Sequence, residues 1–206
     1  MTCYKLSDIS NFSHIIAGVD EAGRGALAGP VYAAAVILDE RSPIEGLADS
    51  KKLSPKKREY LSKLIKQKSL CWSISSIEAS EIDNLDILQA TMSAMKNSVL
   101  KLQILPDIVL IDGNQTPELE YKVLTIVNGD NLVPAISAAS ILAKTERDRE
   151  MLNLHCLYPH YLFNKHKGYG TEEHITLLKK YGPCKEHRKS FSPIKNFTNF
   201  TSINLR

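Results

Sequence analysis

The chain has 206 residues, of which 43% are hydrophobic and 24% are charged, and its formal net charge is +3. This length suits one sizeable core, and no apolar run approaches the roughly 18–20 residues that a membrane-spanning helix needs. The N-terminal residues lack a secretory signal, and the scattered spacing of the cysteines excludes a paired zinc motif and argues against a disulfide framework. We therefore expect a soluble, monomeric protein of the cytoplasm that has no membrane partner.

Apolar runs and turn signals predict strands that alternate with helices. Ser54 and Pro55 have the pattern of an N-cap followed by proline at the first helical position, and Gly182–Pro183 is a stop signal. Early strands followed by alternating strands and helices predict an α/β sandwich with a mixed sheet, in a single domain. In chain order, we expect strands at 14–19, 31–38, 71–77, 108–111 and 123–127 and helices at 55–66, 78–102, 137–154 and 172–181.

Carboxylates follow the ends of three predicted strands, as Asp20–Glu21, Asp112 and Asp130. Ligands of open α/β sheets gather at the carboxyl ends of strands, where four such acids would repel one another without a cation. Oxygen donors select Mg²⁺ or Mn²⁺ over zinc, and two such ions can promote phosphodiester hydrolysis. Each acid could instead cap a turn or a helix, so the residues alone leave both interpretations open.

Glycine and basic residues add features that suit a phosphate-containing ligand. Gly23–Arg24–Gly25 can expose backbone N–H donors beside a cation, although a tight turn explains the same glycines. From His155 to the C-terminus there are nine Lys and Arg against three Asp and Glu, and a second basic cluster lies at 51–58. This distribution fits a polyanionic partner, and a solvated basic face is the alternative.

Six ordered blocks of sequence resemble the signatures of the ribonuclease HII family. They cover nearly the whole chain from His14 to Pro193. The blocks are Gly18–Pro30, Asp49–Ser54, Asp112–Asn114, Ser137–Lys144, His166–Thr171 and His187–Pro193. Two departures are visible, because Ala26 stands where the family usually has proline and Thr145 where it commonly has valine. Ala26 is expected to loosen its loop slightly.

The resemblance implies a ribonuclease H-like fold, with a five-stranded mixed sheet flanked by helices and a small helical C-terminal extension. We expect one domain with a catalytic core at about 14–154, the extension at about 155–193 and a tail at 194–206. The implied activity is endonucleolytic cleavage of RNA in RNA–DNA hybrids and cleavage 5′ to single ribonucleotides in duplex DNA. The products would carry 5′-phosphate and 3′-hydroxyl ends, and the implied roles are ribonucleotide excision repair and RNA primer removal.

The resemblance also assigns roles to individual residues. The family's catalytic, metal-binding acids match Asp20, Glu21, Asp112 and Asp130, with Mn²⁺ or Mg²⁺ as the activating ion. The loop that contacts the ribonucleotide 2′-hydroxyl through its backbone matches Gly23, Arg24 and Gly25, and Tyr169 matches the tyrosine that stacks at the RNA–DNA junction. The 2′-hydroxyl is the group that distinguishes RNA from DNA. By the same resemblance, the residues expected to bind backbone phosphates of the substrate are Lys51, Ser140 and Lys144.

Several alternatives remain to be separated. Lys144 could belong to a solvated helix face. The histidines of the C-terminal half match no strong zinc pattern, so we expect them to pack or to contact phosphates. A junction resolvase of the same fold group would also place acids at strand ends, and a nucleic-acid-binding protein could use the acids for a structural metal.

Overall fold

The computed structural model describes residues 15–201, with side chains described up to residue 197. Its five strands form one sheet in the order β3-β2-β1-β4-β5. β1 pairs antiparallel with β2 and parallel with β4, so the predicted mixed sheet is confirmed. His14, the first residue of the first predicted strand, lies outside the described residues, as do Cys3 and residues 202–206. The strands are β1 (Ile16–Ala22), β2 (Val31–Ile37), β3 (Cys71–Ile77), β4 (Ile108–Asp112) and β5 (Lys122–Ile126).

Helices cover both faces of this sheet. Among the described helices, none is both long and apolar enough to cross a membrane. A 3₁₀ turn at Pro159–Tyr161 follows the longest described helix. The α-helices are α1 (Pro55–Lys68), α2 (Ala79–Leu85), α3 (Ile87–Leu100), α4 (Gly129–Leu132), α5 (Pro134–Leu157), α6 (Phe163–His166), α7 (Glu172–Tyr181) and α8 (Ile194–Thr201).

Two predicted helices differ from the structure. The single helix expected at 78–102 is divided at Asp86, whose φ of +77° cannot continue a helix. The Asp86 side chain accepts a hydrogen bond from the Gln89 N–H and so caps α3. The helix expected from Ser137 begins earlier, at Pro134, because proline suits the first helical position and there needs no N–H partner.

The two faces of the sheet bury different helices. One face packs against α2 and α3 through residues such as Val19, Val109 and Met95. The other face packs against α1 and α5, and there Gly18 permits an unusually close approach. A Cβ at Gly18 would lie 2.2 Å from the backbone carbonyl carbon of Ala135. The missing side chain therefore allows the N-terminus of α5, and with it α4, to lie directly against β1.

Three buried histidines organise the C-terminal extension. The Cys184 N–H donates to His187 Nδ1, His187 Nε2 lies 3.1 Å from His174 Nε2, and His174 Nδ1 lies 2.9 Å from the Tyr169 carbonyl oxygen. Since a carbonyl only accepts, His174 Nδ1 carries its proton, and His187 Nε2 must donate to His174 Nε2. The chain of hydrogen bonds therefore requires both rings to be neutral, and it ends on the backbone of Tyr169.

This arrangement makes the histidines packing residues. The His166 ring stacks on His174 at a centroid distance of 4.3 Å, and its Nδ1 accepts the Gly168 N–H. His174 and His187 are completely buried. Among the described residues, the group of side chains placed to hold a metal ion consists of carboxylates and includes no histidine.

The neutral histidines predict that acid weakens the fold. Burial lowers the pKa of His174 to about 4, and burial together with His174 lowers the pKa of His187 to about 3, from an ordinary value of 6.5. Below pH 6.5 the unfolded chain therefore binds protons that the folded protein does not. The free energy of unfolding should fall between pH 7 and pH 5 by about 2 kcal/mol for each histidine, as urea denaturation can measure.

A pair of variants separates this effect from general acid sensitivity. His187→Gln should make the pH dependence of unfolding shallower by one titrating group. His160→Gln, at an exposed position, should keep the wild-type dependence. The same pH dependence in both variants would show that the buried histidines are not its source.

Candidate active site

Three carboxylates meet at the carboxyl ends of β1 and β4. Oxygen atoms of Asp20, Asp112 and Asp130 all lie within 4.8 Å of one another. The parallel register of the two strands pairs Val19 with Ile111, so Asp20 and Asp112 are the next residues along. Their side chains share the sheet face that carries α5, because residues two apart point the same way. The predicted gathering of these three acids is thus present in the structure.

The local structure around these acids differs from the prediction in two places. The first strand was expected to end at Val19, but β1 continues through Asp20 and Glu21, because its pairing with β2 extends to Ala22. Asp130 does not directly follow a strand. β5 ends at Ile126, and Asp130 lies in α4.

Glu21 consequently lies beside the three acids and is not one of the group. Alternation along β1 directs its side chain to the sheet face opposite that of Asp20. Its Oε1 is 3.9 Å from Nη1 of Arg24. Asp112 is nevertheless close enough to raise the pKa of Glu21, in addition to the larger effect of burial. Glu21 therefore shares the electrostatic environment of the group from the other side of the strand.

Backbone and amide donors fix the orientation of each carboxylate. The Gly129 N–H donates to Asp112 Oδ1 at 2.7 Å. A Cβ at Gly129 would lie 2.6 Å from Cδ1 of Ile136, so a side chain there would displace the end of Ile136. The Asn131 side chain donates to Asp130 at 2.8 Å. The Glu21 N–H donates to Asp20 at 2.7 Å.

The acids are poorly compensated by positive charge. Burial, and after it Glu21 and Asp112, raise the pKa of Asp20 well above its ordinary value. Burial also raises the pKa of Asp130, with Asp112 the next cause. These shifts show that the ionised forms are costly here. A divalent cation would remove that cost, and three hard oxygen donors with no nitrogen or sulfur suit Mg²⁺ or Mn²⁺.

Lys51 and Ser140 lie close to the acids. Burial lowers the pKa of Lys51, but Asp49, Asp20 and other acids outweigh burial and raise it overall. Ser140 is hydrogen-bonded to Asp20 and lies 2.9 Å from the Ser50 hydroxyl oxygen. Because Ser140 is buried, its hydroxyl supports the Asp20 carboxylate in this structure.

The Gly23–Gly25 loop continues directly from β1, so it adjoins the acids. Gly23 has a φ of +92°, and Arg24 and Gly25 are exposed. Ala26 is buried, and its N–H donates to the Gly23 carbonyl, a bond that proline could not make. Thr145, the second departure from the family pattern, is buried, and within the described residues its hydroxyl has no hydrogen-bond partner.

Tyr169 and Lys144 lie close to each other. Tyr169 is half-buried, and Lys144 Nζ lies 5.5 Å from its ring centroid. Lys144 also forms an ion pair of 2.7 Å with Asp148, one helical turn further along α5. Its ammonium is thus held near Tyr169 by a helix neighbour, and it does not lie on a freely solvated face.

Two buried arginines, Arg147 and Arg188, lie behind the loop and were not among the predicted site residues. Arg147 lies in a run of charged residues at 146–150, and Arg188 lies in the last of the six blocks; neither position predicts burial. Both are 0% exposed. Helical periodicity does give a signal for Arg147. The apolar residues Ala143, Met151 and Leu154 lie at positions −4, +4 and +7 relative to it, on the same helix face, and all three are buried.

Comparison with known proteins finds a matching family model, similar sequences and similar structures. A family model described as ribonuclease HII matches residues 17–194. A ribonuclease HII from Bordetella pertussis is 58% identical over 183 residues, covering 89% of this chain and 91% of that protein. One from Idiomarina loihiensis is 58% identical, covering 88% and 97%. The crystal structure of ribonuclease H2 from Pyrococcus horikoshii superimposes with a TM-score of 0.77 at 26% identity, covering 92% of this chain and 99% of that one.

The raised pKa of Asp20 predicts how a neutral side chain would change stability. A carboxyl whose pKa is raised by folding loses its stabilising contribution as the pH rises. At pH 8 without metal, the ionised Asp20 should therefore destabilise the folded protein. Asp20→Asn should therefore melt at a higher temperature than the wild type in EDTA. Added Mn²⁺ should raise the melting temperature of the wild type much more than that of Asp20→Asn, because the variant loses a ligand.

Differential scanning fluorimetry with EDTA, Mg²⁺ and Mn²⁺ measures both effects. Asp39→Asn is the control, since Asp39 is remote from the three acids and bonds to Arg41. Equal Mn²⁺-induced shifts in all three proteins would contradict a cation site at Asp20.

Proposed function

The chain belongs to the ribonuclease HII family, and we propose that it cleaves duplex DNA on the 5′ side of single ribonucleotides as well as the RNA strand of hybrids. It is a ribonuclease H, a hydrolase, and family membership supports endonuclease activity on RNA–DNA hybrids. The observation that carries the finer proposal is the adjacency of two features: three carboxylates within 4.8 Å and, continuing from the same strand, the exposed Arg24–Gly25 backbone.

The three clustered acids would hold the metal. Asp20, Asp112 and Asp130 supply the oxygen ligands, and Glu21 adds a carboxylate from the opposite face of β1. Bound Mn²⁺ or Mg²⁺, in a pair of ions, would lower the pKa of the attacking water and stabilise the departing 3′-oxygen. The residues of the chain hold the carboxylates in place through the N–H groups of Gly129 and Glu21, and they keep Asp20 largely away from solvent.

The substrate would be recognised on the side of the loop. The Gly23–Gly25 backbone would contact the 2′-hydroxyl, the group that separates a ribonucleotide from its deoxy neighbours. The ring of Tyr169 would stack at the RNA–DNA junction, and Lys51 and Lys144 would attract backbone phosphates. Cleavage 5′ to the ribonucleotide leaves a 3′-hydroxyl and a 5′-phosphate. Such products fit the removal of misincorporated ribonucleotides and of RNA primers by a monomeric enzyme.

A cleavage assay tests this function directly. Duplex DNA with one ribonucleotide should be cut 5′ to that position in Mn²⁺ or Mg²⁺ and remain intact with chelator. Asp20→Asn should reduce cleavage to background while it still binds the duplex, because the loop and basic residues are unchanged. Cleavage of all-DNA branched substrates with no cleavage at the ribonucleotide would favour a resolvase. Binding without any cation-dependent cleavage would favour a binding protein.

Tyr169→Ala should lower cleavage at a single embedded ribonucleotide more than cleavage of a long hybrid. The reason is that only the single ribonucleotide forces the enzyme to use one defined junction, whereas a hybrid offers many sites. Initial rates on the two substrates, each divided by the wild-type rate, give the comparison. Tyr181→Ala, at an exposed tyrosine of α7, is the control and should preserve both rates. Equal losses on both substrates in Tyr169→Ala would contradict the junction role.

A further inference from the structure

Two arginines are completely buried, and in the described part of the chain neither has a carboxylate partner. Arg147, on α5, and Arg188, in the C-terminal extension, are each 0% exposed. Within residues 15–197 neither forms an ion pair with an acidic side chain. A buried charge without a partner is expensive, so such residues persist where their hydrogen bonds hold something in place.

The hydrogen bonds that these two guanidinium groups form with described residues go to carbonyl oxygens of one short segment, residues 23–30. Arg188 donates from Nη2, Nη1 and Nε to the carbonyls of Gly23, Arg24 and Gly29, at 2.8, 2.9 and 3.0 Å. Arg147 donates from Nε to Pro30 at 3.1 Å and from Nη2 to Ala28 at 3.3 Å. The two side chains therefore hold the whole loop from its inner side.

The hydrogen bonds of Arg188 also determine the direction in which backbone N–H groups of the loop point. In a planar trans peptide, the C=O of one residue and the N–H of the next point in opposite directions. With the carbonyls of Gly23 and Arg24 turned toward Arg188, the N–H groups of Arg24 and Gly25 point away from it. Neither N–H has a hydrogen-bond acceptor among the residues that the structure describes. Two adjacent free donors of this kind suit an oxygen ligand.

Arg147 joins this loop to Tyr169. Its guanidinium carbon lies 5.1 Å from the Tyr169 ring centroid, at cation–π distance. A Cβ at Gly23 would lie 1.8 Å from Arg147 Nε, so the arginine occupies the space that a side chain there would need. The Leu27 N–H also donates to the Gly168 carbonyl at 2.8 Å. Arg147 thus contacts both the loop and Tyr169.

We propose that Arg188 and Arg147 are positioning residues that set the preference for a ribonucleotide, by directing the N–H groups of Arg24 and Gly25 toward the 2′-hydroxyl and by fixing Tyr169 relative to them. This inference rests on the function proposed above. Both arginines are buried and donate to backbone carbonyls of the loop, so their effect would pass through the geometry of the loop.

Hydrogen bonds to α2 hold the part of the extension that carries Arg188. The carboxylate of Asp83, on α2, accepts the N–H groups of Lys189 and Ser190, each at 2.8 Å. These bonds fix the two residues that follow Arg188. Asp83→Asn should therefore loosen the grip of Arg188 without removing any guanidinium donor.

The test compares binding of two duplexes in Ca²⁺, used as the probe ion in place of the activating cations. The duplexes are identical except that one contains a single ribonucleotide. Arg188→Lys keeps the charge, but one ammonium cannot reach three separate carbonyls. Its preference for the ribonucleotide duplex should fall toward unity while its affinity for the all-DNA duplex stays at the wild-type value. Its turnover in Mn²⁺ should fall by up to about 10²-fold.

A destabilised control separates loop geometry from loss of fold. Met95→Ala truncates a buried side chain of α3 and is expected to lower the melting temperature while it keeps the wild-type preference. If Arg188→Lys keeps the wild-type preference as well, the positioning role is overturned. If Arg188→Lys does not fold, Asp83→Asn decides: a reduced preference supports the role, and a wild-type preference overturns it. A wild-type enzyme that fails to cut the ribonucleotide duplex would instead refute the proposed function.

Discussion

Repulsion among three clustered carboxylates, two of them buried, is the constraint around which this molecule is organised. Parallel pairing of β1 with β4 places Asp20 beside Asp112, and α4 delivers Asp130 to the same edge. The arrangement would be unfavourable in isolation, as the raised pKa of Asp20 shows. It persists because the sheet and α5 are held by a large apolar core, which Gly18 lets α5 approach closely. The fold thus stores an electrostatic cost that a cation can relieve.

The surroundings of the acids compensate only part of that charge. The N–H of Gly129 and the hydroxyl of Ser140 each stabilise one carboxylate, and the ammonium of Lys51 lies close enough for the acids to raise its pKa. If protein groups neutralised the acids completely, binding a metal ion would bring little electrostatic gain. The remaining negative charge therefore selects small divalent cations, while the exposed backbone at Arg24 and Gly25 offers N–H donors a few residues further along the chain. β1 carries an acid that attracts a cation, and the loop that follows β1 carries the N–H donors that suit a substrate oxygen.

The sequence predicts the strands and the three clustered acids because apolar runs and turn residues act locally. It fails where a distant contact or an unusual backbone conformation determines the structure. β1 continues past Val19 because β2 pairs with it as far as Ala22, and this pairing places Glu21 on the opposite face from Asp20. The break at Asp86 depends on a positive φ that hydrophobic periodicity does not report. Arg147 has a charged side chain on a buried stripe, and its carbonyl acceptors lie more than a hundred residues earlier.

The C-terminal extension belongs to the site and is more than an appendage of the sheet. Two adjacent residues act in it: the neutral His187 supports the Tyr169 carbonyl through His174, and Arg188 holds the carbonyls of Gly23 and Arg24. Neither interaction can form within the sheet and helices of residues 15–157 alone. A rigid hold on both elements matters because reading a 2′-hydroxyl requires donors placed to within a fraction of an ångström, which an unsupported glycine loop cannot maintain. Ribonucleotide specificity and the stability of the extension are therefore expected to change together.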